Sequence, residues 1–417
     1  MTAKKNKFHY AWLILITCCM MQGAGLGLIN NCAGVFFSPV CNDLGFEMGE
    51  FTLYRTLFTL CQALLMPVVA KLFRKYDARV LVSAATVIMG GPSIMMGSFT
   101  ELWQWYVFGI IQGGASAFIS VIPAPLIIGN WFYKQTGTAV GIAAAFSGLV
   151  GMLGSSGLGF LIPAVGWRMS YVIIGVIAMV LILPFSMFVL RYKPEEKGML
   201  PYGAESMPAA EIKKESSAAK EKLSDFIRQP LFLISLVTYA CCLISSYLTS
   251  FLPSCGLEVG MEMGMAAMLA SLALCGNMTS KLFLGKLCDS CGVMKIFILS
   301  IIVAGIGHVM IFMGIPAVML PGSLLYGVTM PLSTVLMPMF CRLFWKGDTY
   351  AAAYSYVTMF GMLFCSPFGS WFGTFYDLTG SYDLTIGFCF FTLVVALVLV
   401  VVTGGILKKK DVSGAAA

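Results

Sequence analysis

The sequence predicts an all-α polytopic membrane protein, with twelve transmembrane helices forming two six-helix, pseudo-symmetric bundles. Three observations predict it. The 417 residues are 59% hydrophobic and only 11% charged, where a soluble domain carries about a quarter charged residues. Apolar runs of about 20 residues recur from end to end, each long enough to cross a bilayer as a helix. The short connections between them alternate in charge, basic then acidic. A membrane β-barrel would show short alternating strands instead. The net charge of +7 is scattered over many loops, which argues against a nucleic-acid partner.

The first span covers about 10–37. Lys4, Lys5 and Lys7 precede it, but the run is too long and, with Gln22, Asn30 and Asn31, too polar for a cleaved signal. Spans two to six follow at about 51–70, 80–99, 102–127, 138–164 and 169–190. Spans seven to twelve fall at about 231–256, 266–287, 296–313, 318–341, 351–375 and 382–407. Residues 1–190 thus form one bundle and 230–417 the other. Between them, 191–229 is rich in Lys, Glu, Ser and Ala and reads as a soluble linker. Its end carries Leu223, Phe226 and Ile227 on one side, which suits a short amphipathic helix over 216–228 lying on the membrane surface.

The Lys and Arg distribution sets the orientation. The N-terminus, the loop with Lys71, Arg74, Lys75 and Arg79, Lys134, the linker, Lys286, Lys295, Arg342, Lys346 and Lys408 to Lys410 all fall on one side. The opposite loops hold Arg168 among Asp43, Glu47, Glu101, Glu258, Glu262, Asp377 and Asp383. By the positive-inside rule both termini are cytoplasmic, as expected of a multi-pass protein of the plasma (cytoplasmic) membrane. The halves also echo each other. Asn130-Trp131-Phe132-Tyr133-Lys134 follows span four as Arg342-Leu343-Phe344-Trp345-Lys346 follows span ten. Matching loops six spans apart imply duplication, with a solute site between the halves and a rocking motion for alternating access.

The cysteines are scattered through apolar spans, a pattern of packing and not of a disulfide framework. Cys288 and Cys291 make one CxxC with no second pair nearby, so no metal or other cofactor is implied. HExxH and GxSxG are both missing, which argues against an enzyme.

The polar groups inside the spans are the candidate solute contacts, because burying them in a bilayer is costly. Arg55 and Gln62 lie seven apart, on one face of span two. Arg55 either faces the cavity, where a guanidinium grips a carboxylate through two parallel bonds, or snorkels to the interface. Span eight holds Asn277 and, four residues on, Lys281, which has the same two alternatives. Asn30 and Asn31 in span one either bind solute or join helices. His308 in span nine is a proton carrier or a hydrogen-bonded packing residue. Tyr326, with Tyr247, Tyr354 and Tyr356, supplies rings for packing or for the cavity. No Asp or Glu falls well inside any span, whereas Arg55 and Lys281 are cationic, and a cavity of that sign favours an anion.

The turn Gly285-x3-Asp289-x2-Gly292 is similar to the signature loop of the major facilitator superfamily, whose Asp caps and gates the inward side. In the matching first-half loop Arg74 stands at the Asp position and Asp77 at the Gly position, so that gate, with Arg79 beside it, differs in detail. Gly34-Val35-Phe36-Phe37-Ser38-Pro39, Trp131-Phe132 with Gly137 and Gly141, and Pro194-Glu195-Glu196-Lys197-Gly198 resemble the oxalate/formate antiporter and monocarboxylate porter branch. In that branch helix eight carries an Asp or Asn four residues before a basic residue; Asn277 and Lys281 match. The exchanger type has a further Lys in helix eleven, where this chain has Phe360-Gly361-Met362. Arg55 falls where that type has Gln, and Asn30 and Asn31 match polar pocket positions.

These observations imply a secondary or facilitative carrier of small organic anions, monocarboxylates or related acids. It would act as a monomer in the lipid bilayer, with exchange favoured over proton symport. The alternatives are an efflux carrier for amphipathic compounds with a Met- and Phe-rich pocket, a proton-coupled monocarboxylate symporter, and a non-transporting membrane receptor.

Overall fold

The computed structural model describes residues 9–120, 123–133, 135–203, 226, 228–345 and 347–414. All the spans are helical, and among the described residues one isolated bridge, Phe132 to Tyr202, is the only β-type pairing. The helices are α1 Ala11–Leu44, α2 Met48–Lys75, α3 Ala78–Met96 and α4 over 102–131. The stretch Thr136–Val189 is two spans, α5 before Gly166 and α6 after it. Gly166 makes that corner with φ 81° and ψ 160°, a conformation open at low cost only to glycine. The second half has α7 over 230–258, α8 Met263–Cys291, α9 Val293–Phe312, α10 Pro316–Cys341, α11 over 347–379 and α12 Asp383–Gly414.

Eight of the helical stretches are long and apolar enough to cross a membrane. One of these is the α5–α6 pair. Three further spans, α2, α4 and α11, are more charged or interrupted, and with them the total is twelve. The expected spans match to within a few residues, except that α1 runs on to Leu44, α2 on to Lys75 and α12 on to Gly414. Helical hydrogen bonding does not stop where hydrophobicity does.

Interruptions recur at the first and fourth helix of each half. In α1 a π-helical segment, Met21–Asn31, spans the glycine-rich stretch, and a Cβ on Gly27 would stand 2.6 Å from the Ser147 carbonyl oxygen of α5. In α4 the helix breaks between Ser116 and Pro123. In α7 a 3-10 turn occupies Leu248–Ser250. In α10 a π-turn, Leu332–Leu336, follows Pro331, whose ring removes a helical donor.

Consecutive helices are antiparallel, so the turns at 45–47, 97–101, 259–262 and 380–382 share one face, called here the acidic face. The turns at 76–77, 132–135 and 342–345 share the other, the basic face. The buried apolar residues form three clusters. One, with Phe36, Phe51, Trp105, Phe251, Leu269 and Phe372, lies toward the acidic face and draws on both halves. The other two lie toward the basic face. One belongs to the first half, with Val82, Ile128 and Trp131, and the other to the second, with Phe297, Phe340 and Val400. The halves therefore share a core at one end and keep separate cores at the other.

Each half also holds its own end of the linker. Trp131 Nε1 donates to the Arg191 carbonyl at 2.9 Å, and Asn130 Nδ2 to that of Tyr192 at 3.0 Å. In the second half Trp345 Nε1 donates to Gln229 Oε1 at 3.0 Å. The amphipathic helix expected over 216–228 lies outside the described residues except for Phe226 and Arg228. Phe226 is buried against Phe232, Trp345 and Tyr356.

Candidate solute site between the halves

The acidic ends of the halves are sewn together. Ser38 donates to Ser254 at 2.8 Å and Thr56 to Ser370 at 3.2 Å. Asp377, at the end of α11, accepts the backbone N–H groups of Met48 at 2.9 Å and Gly49 at 2.6 Å. These are among the orphan donors of the first turn of α2, so a carboxylate of one half caps a helix of the other. Gly34 lies so close to the Ser250 carbonyl that no side chain fits there. Along the α5–α8 pair, Ser155 donates to the Ala267 carbonyl at 3.0 Å and Ser156 to Ser271 at 2.8 Å. A Cβ on Gly148 would touch Met278 at 3.0 Å, but Gly141 and Gly285, farther toward the basic face, have open space around them.

Immediately inside this seal, Phe37, Arg55 and Thr59 of the first half face Tyr247, Ser250, Phe251, Ser366 and Gly369 of the second. They surround a cavity of about 30 Å³, the size of one water. Arg55 is half-buried. Its guanidinium donates to Asn30 Oδ1 and approaches the Asn30 carbonyl at 3.4 Å. It lies 4.7 Å from the Phe58 ring centroid. No carboxylate pairs with it: the ion pairs among the described residues are Arg79–Asp77 and Arg168–Asp43.

Lys281 continues a stripe. Ser271, Leu274 and Met278 face α5, and at spacings of three and four Lys281 follows on the same side. It is half-buried, and no partner for its ammonium group lies among the described residues. Arg55 stands seven residues into α2 from the acidic face and Lys281 eighteen residues into α8. At 1.5 Å per residue the two cations differ in depth by roughly 16 Å. The structure thus sets both toward the junction of the halves without bringing them together. Asn277 is buried, and its Oδ1 has no partner among the described residues. Asn31 is half-buried, with its Cβ 3.5 Å from the Cβ position of Gly151.

Two expected solute contacts are placed elsewhere. Gln62 Nε2 donates to Ser116 and Ser120, each at 3.0 Å, inside the first half. Gln22 donates to the Ser120 carbonyl at 2.8 Å and completes that network. Tyr326 is fully buried. Its hydroxyl sits 2.9 Å from Thr249 Oγ1 and 3.0 Å from the Ser245 and Ser246 carbonyls. His308 packs on its ring at 4.8 Å. Its Nδ1 lies 2.9 Å from the Ala304 carbonyl and its Nε2 3.0 Å from Ser245 Oγ. The network assigns the proton to Nδ1, so Nε2 accepts from Ser245. In both cases polarity inside a span is satisfied by a neighbouring helix of the same half, which no sequence pattern reveals.

Of the gate residues, Gly292 ends α8 with φ 88°, and the side chain of Asp289 lies outside the described residues. Arg79 forms a paired contact with Asp77 at 2.7 Å on the surface, and its hydrogen bonds hold the Asp77 carboxyl below its ordinary pKa. Thr59, Ser250, Ser366 and Asp377 were not legible as site residues, since a lone hydroxyl or an acid at a helix end gives no local signal.

A twelve-helix chain that is sealed at one face, with a polar cavity behind the seal, has the architecture of a membrane carrier. The sequence profile of the major facilitator superfamily matches residues 12–278, and the chain belongs to that superfamily. A search of curated proteins by sequence finds no match. Among solved structures it is similar to a bacterial homolog of the human lysosomal transporter Spinster, described as inward-facing and unoccupied. The identity is 15%, with 96% of each chain covered and a TM-score of 0.68. It is also similar to the nucleoside transporter NupG, at 11% identity, covering 96% of this chain and 100% of that one, with a TM-score of 0.68.

Proposed function

We propose that the protein is a carrier of small organic anions, monocarboxylates or related acids, working by alternating access. The observation that carries this reading is Arg55, a guanidinium at the junction of the halves with no carboxylate partner among the described residues. An unpaired cation taken from water costs several kcal/mol, and an anionic solute offsets that cost. Lys281, deeper toward the basic face, supplies a second positive station on the same path. The two moving bodies are 1–190 and 230–417, joined by 191–229. The basic face is cytoplasmic, the membrane is the plasma membrane, and the seal at the acidic face makes this the inward-facing state. Exchange is favoured over proton symport, because His308 is consumed by hydrogen bonds within its own half and Asn277 stands where a symporter has Asp. The branch is that of the oxalate/formate antiporters and monocarboxylate porters.

Counterflow in proteoliposomes against a panel of carboxylates, with and without a pH gradient, tests this. Arg55→Gln and Lys281→Gln are each expected to cut carboxylate exchange at least tenfold in protein that still inserts. Undiminished exchange in Arg55→Gln sinks the reading. Thermal stabilisation by large apolar compounds and not by small carboxylates would favour the efflux alternative.

A further inference from the structure

The Arg55 guanidinium has five N–H donors, yet among the described residues only Nη2 has an acceptor, and both acceptor atoms belong to Asn30. Asn30 sits at the end of the π-helical segment of α1. There the change of helical pitch turns its carbonyl as well as its side chain toward Arg55. The Nε–Nη1 side of the fork has no partner among the described residues. Around it stand neutral hydroxyls, Thr59 from the first half and Tyr247, Ser250 and Ser366 from the second. Thr59 and Tyr247 line the cavity from opposite sides of the junction. Phe37 and Phe251 wall the space, and the Phe58 ring lies against the guanidinium.

Resting on the anion-carrier reading above, we propose that Asn30 is a stand-in for the solute. Its amide oxygen holds Arg55 in the empty carrier, and the carboxylate of a small organic acid displaces it, with Tyr247 and Ser366 completing the head-group site. A neutral amide oxygen is a weaker acceptor for a guanidinium than a carboxylate, which takes two parallel N–H bonds. The stand-in therefore keeps Arg55 from being left bare without outcompeting the solute. A cavity of about 30 Å³ is the size of one water, so a carboxylate head enters only into the space that the Asn30 amide vacates, and a second carboxylate of a longer acid lies outside it. Because the hydroxyls come from the second half and the cation from the first, filling the site bridges the halves.

The test is acetate binding to the purified full-length protein, read by calorimetric titration, for wild type, Asn30→Ala, Asn30→Asp and Arg55→Gln. Removing the stand-in in Asn30→Ala tightens acetate binding by about tenfold, the worth of one hydrogen bond to a charged group. Asn30→Asp gives Arg55 a permanent carboxylate, so the ligand-free protein melts higher and acetate no longer binds. The second variant reads the proposal in the opposite direction and does not depend on the first folding. If Asn30→Ala binds acetate no more tightly than wild type, or Asn30→Asp binds it unchanged, the stand-in is overturned. If Arg55→Gln has meanwhile lost acetate, the anion-carrier reading survives that result. If Arg55→Gln binds acetate like wild type, both fall.

Discussion

Replacing Asp377 by alanine is expected to loosen the seal at the acidic face. The carboxylate accepts the Met48 and Gly49 N–H groups at 2.9 and 2.6 Å, and the described residues offer those two donors no other acceptor. Hydrogen bonds to a charged group contribute about 1.5–3 kcal/mol when buried. Asp377 is exposed, so roughly half the lower figure per bond is appropriate, with a few tenths more from the helix dipole. The total is about 1.5–2 kcal/mol, or roughly a 10- to 30-fold shift between sealed and open forms. Two native thiols report on it. Cys41 and Cys255 are buried at this seal, 7% and 2% exposed, and a polar alkylating reagent reaches them only when it opens. Mass spectrometry of their peptides should show alkylation faster by that factor, and hydrogen exchange at the start of α2 should rise in parallel. Asp377→Asn, which keeps an acceptor oxygen, should fall in between. Unchanged alkylation of both cysteines in Asp377→Ala, with faster exchange only at 48–49, would show that the cap orders a helix end and does not hold the halves together.

Tyr326→Phe should lower stability by about 1–2 kcal/mol, because a buried hydroxyl with three close acceptors is lost. Its half-saturating solute concentration should stay at the wild-type value, since the ring is sealed within the second half; a changed value would return Tyr326 to the cavity. Trp345→Phe should cost about 1 kcal/mol in thermal unfolding, from the lost bond to Gln229. Asp77 has a lowered pKa in the folded protein, so its pairing with Arg79 stabilises at neutral pH and is lost as pH falls through that lowered value. Asp77→Asn should therefore melt slightly below wild type at pH 7 and converge with it in acid below the ordinary carboxylate range.

The helices were legible because membrane solvation imposes a coarse rule: about 20 apolar residues per span, with basic loops on one side. That rule located the spans that the structure contains, including the break near Gly166. The pairing of polar side chains obeys no such rule. Arg55 and Gln62 share a face of α2 by sequence spacing, yet Arg55 meets the second half while Gln62 bonds to α4. The difference lies in where along α2 the neighbouring helix changes, and that is fixed by tertiary packing. In the same way, two cations in separate spans suggested one site. Depth along each helix, counted from ends the sequence only approximates, separates them by roughly 16 Å. Asp377 was noted only as one acid among the outer loops, because its partners are backbone groups more than 300 residues away.

The two tryptophans that fasten the linker bear on how the halves are joined. Trp131 ties off the chain as it leaves the first half and Trp345 ties it again as it enters the second. A pull on the intervening segment is borne by these knots before it reaches any spanning helix. What the covalent connection then supplies is a high local concentration of one half near the other. A chain severed between Tyr202 and Phe226 keeps both knots, and two co-expressed fragments have every contact at the acidic face with which to find each other again.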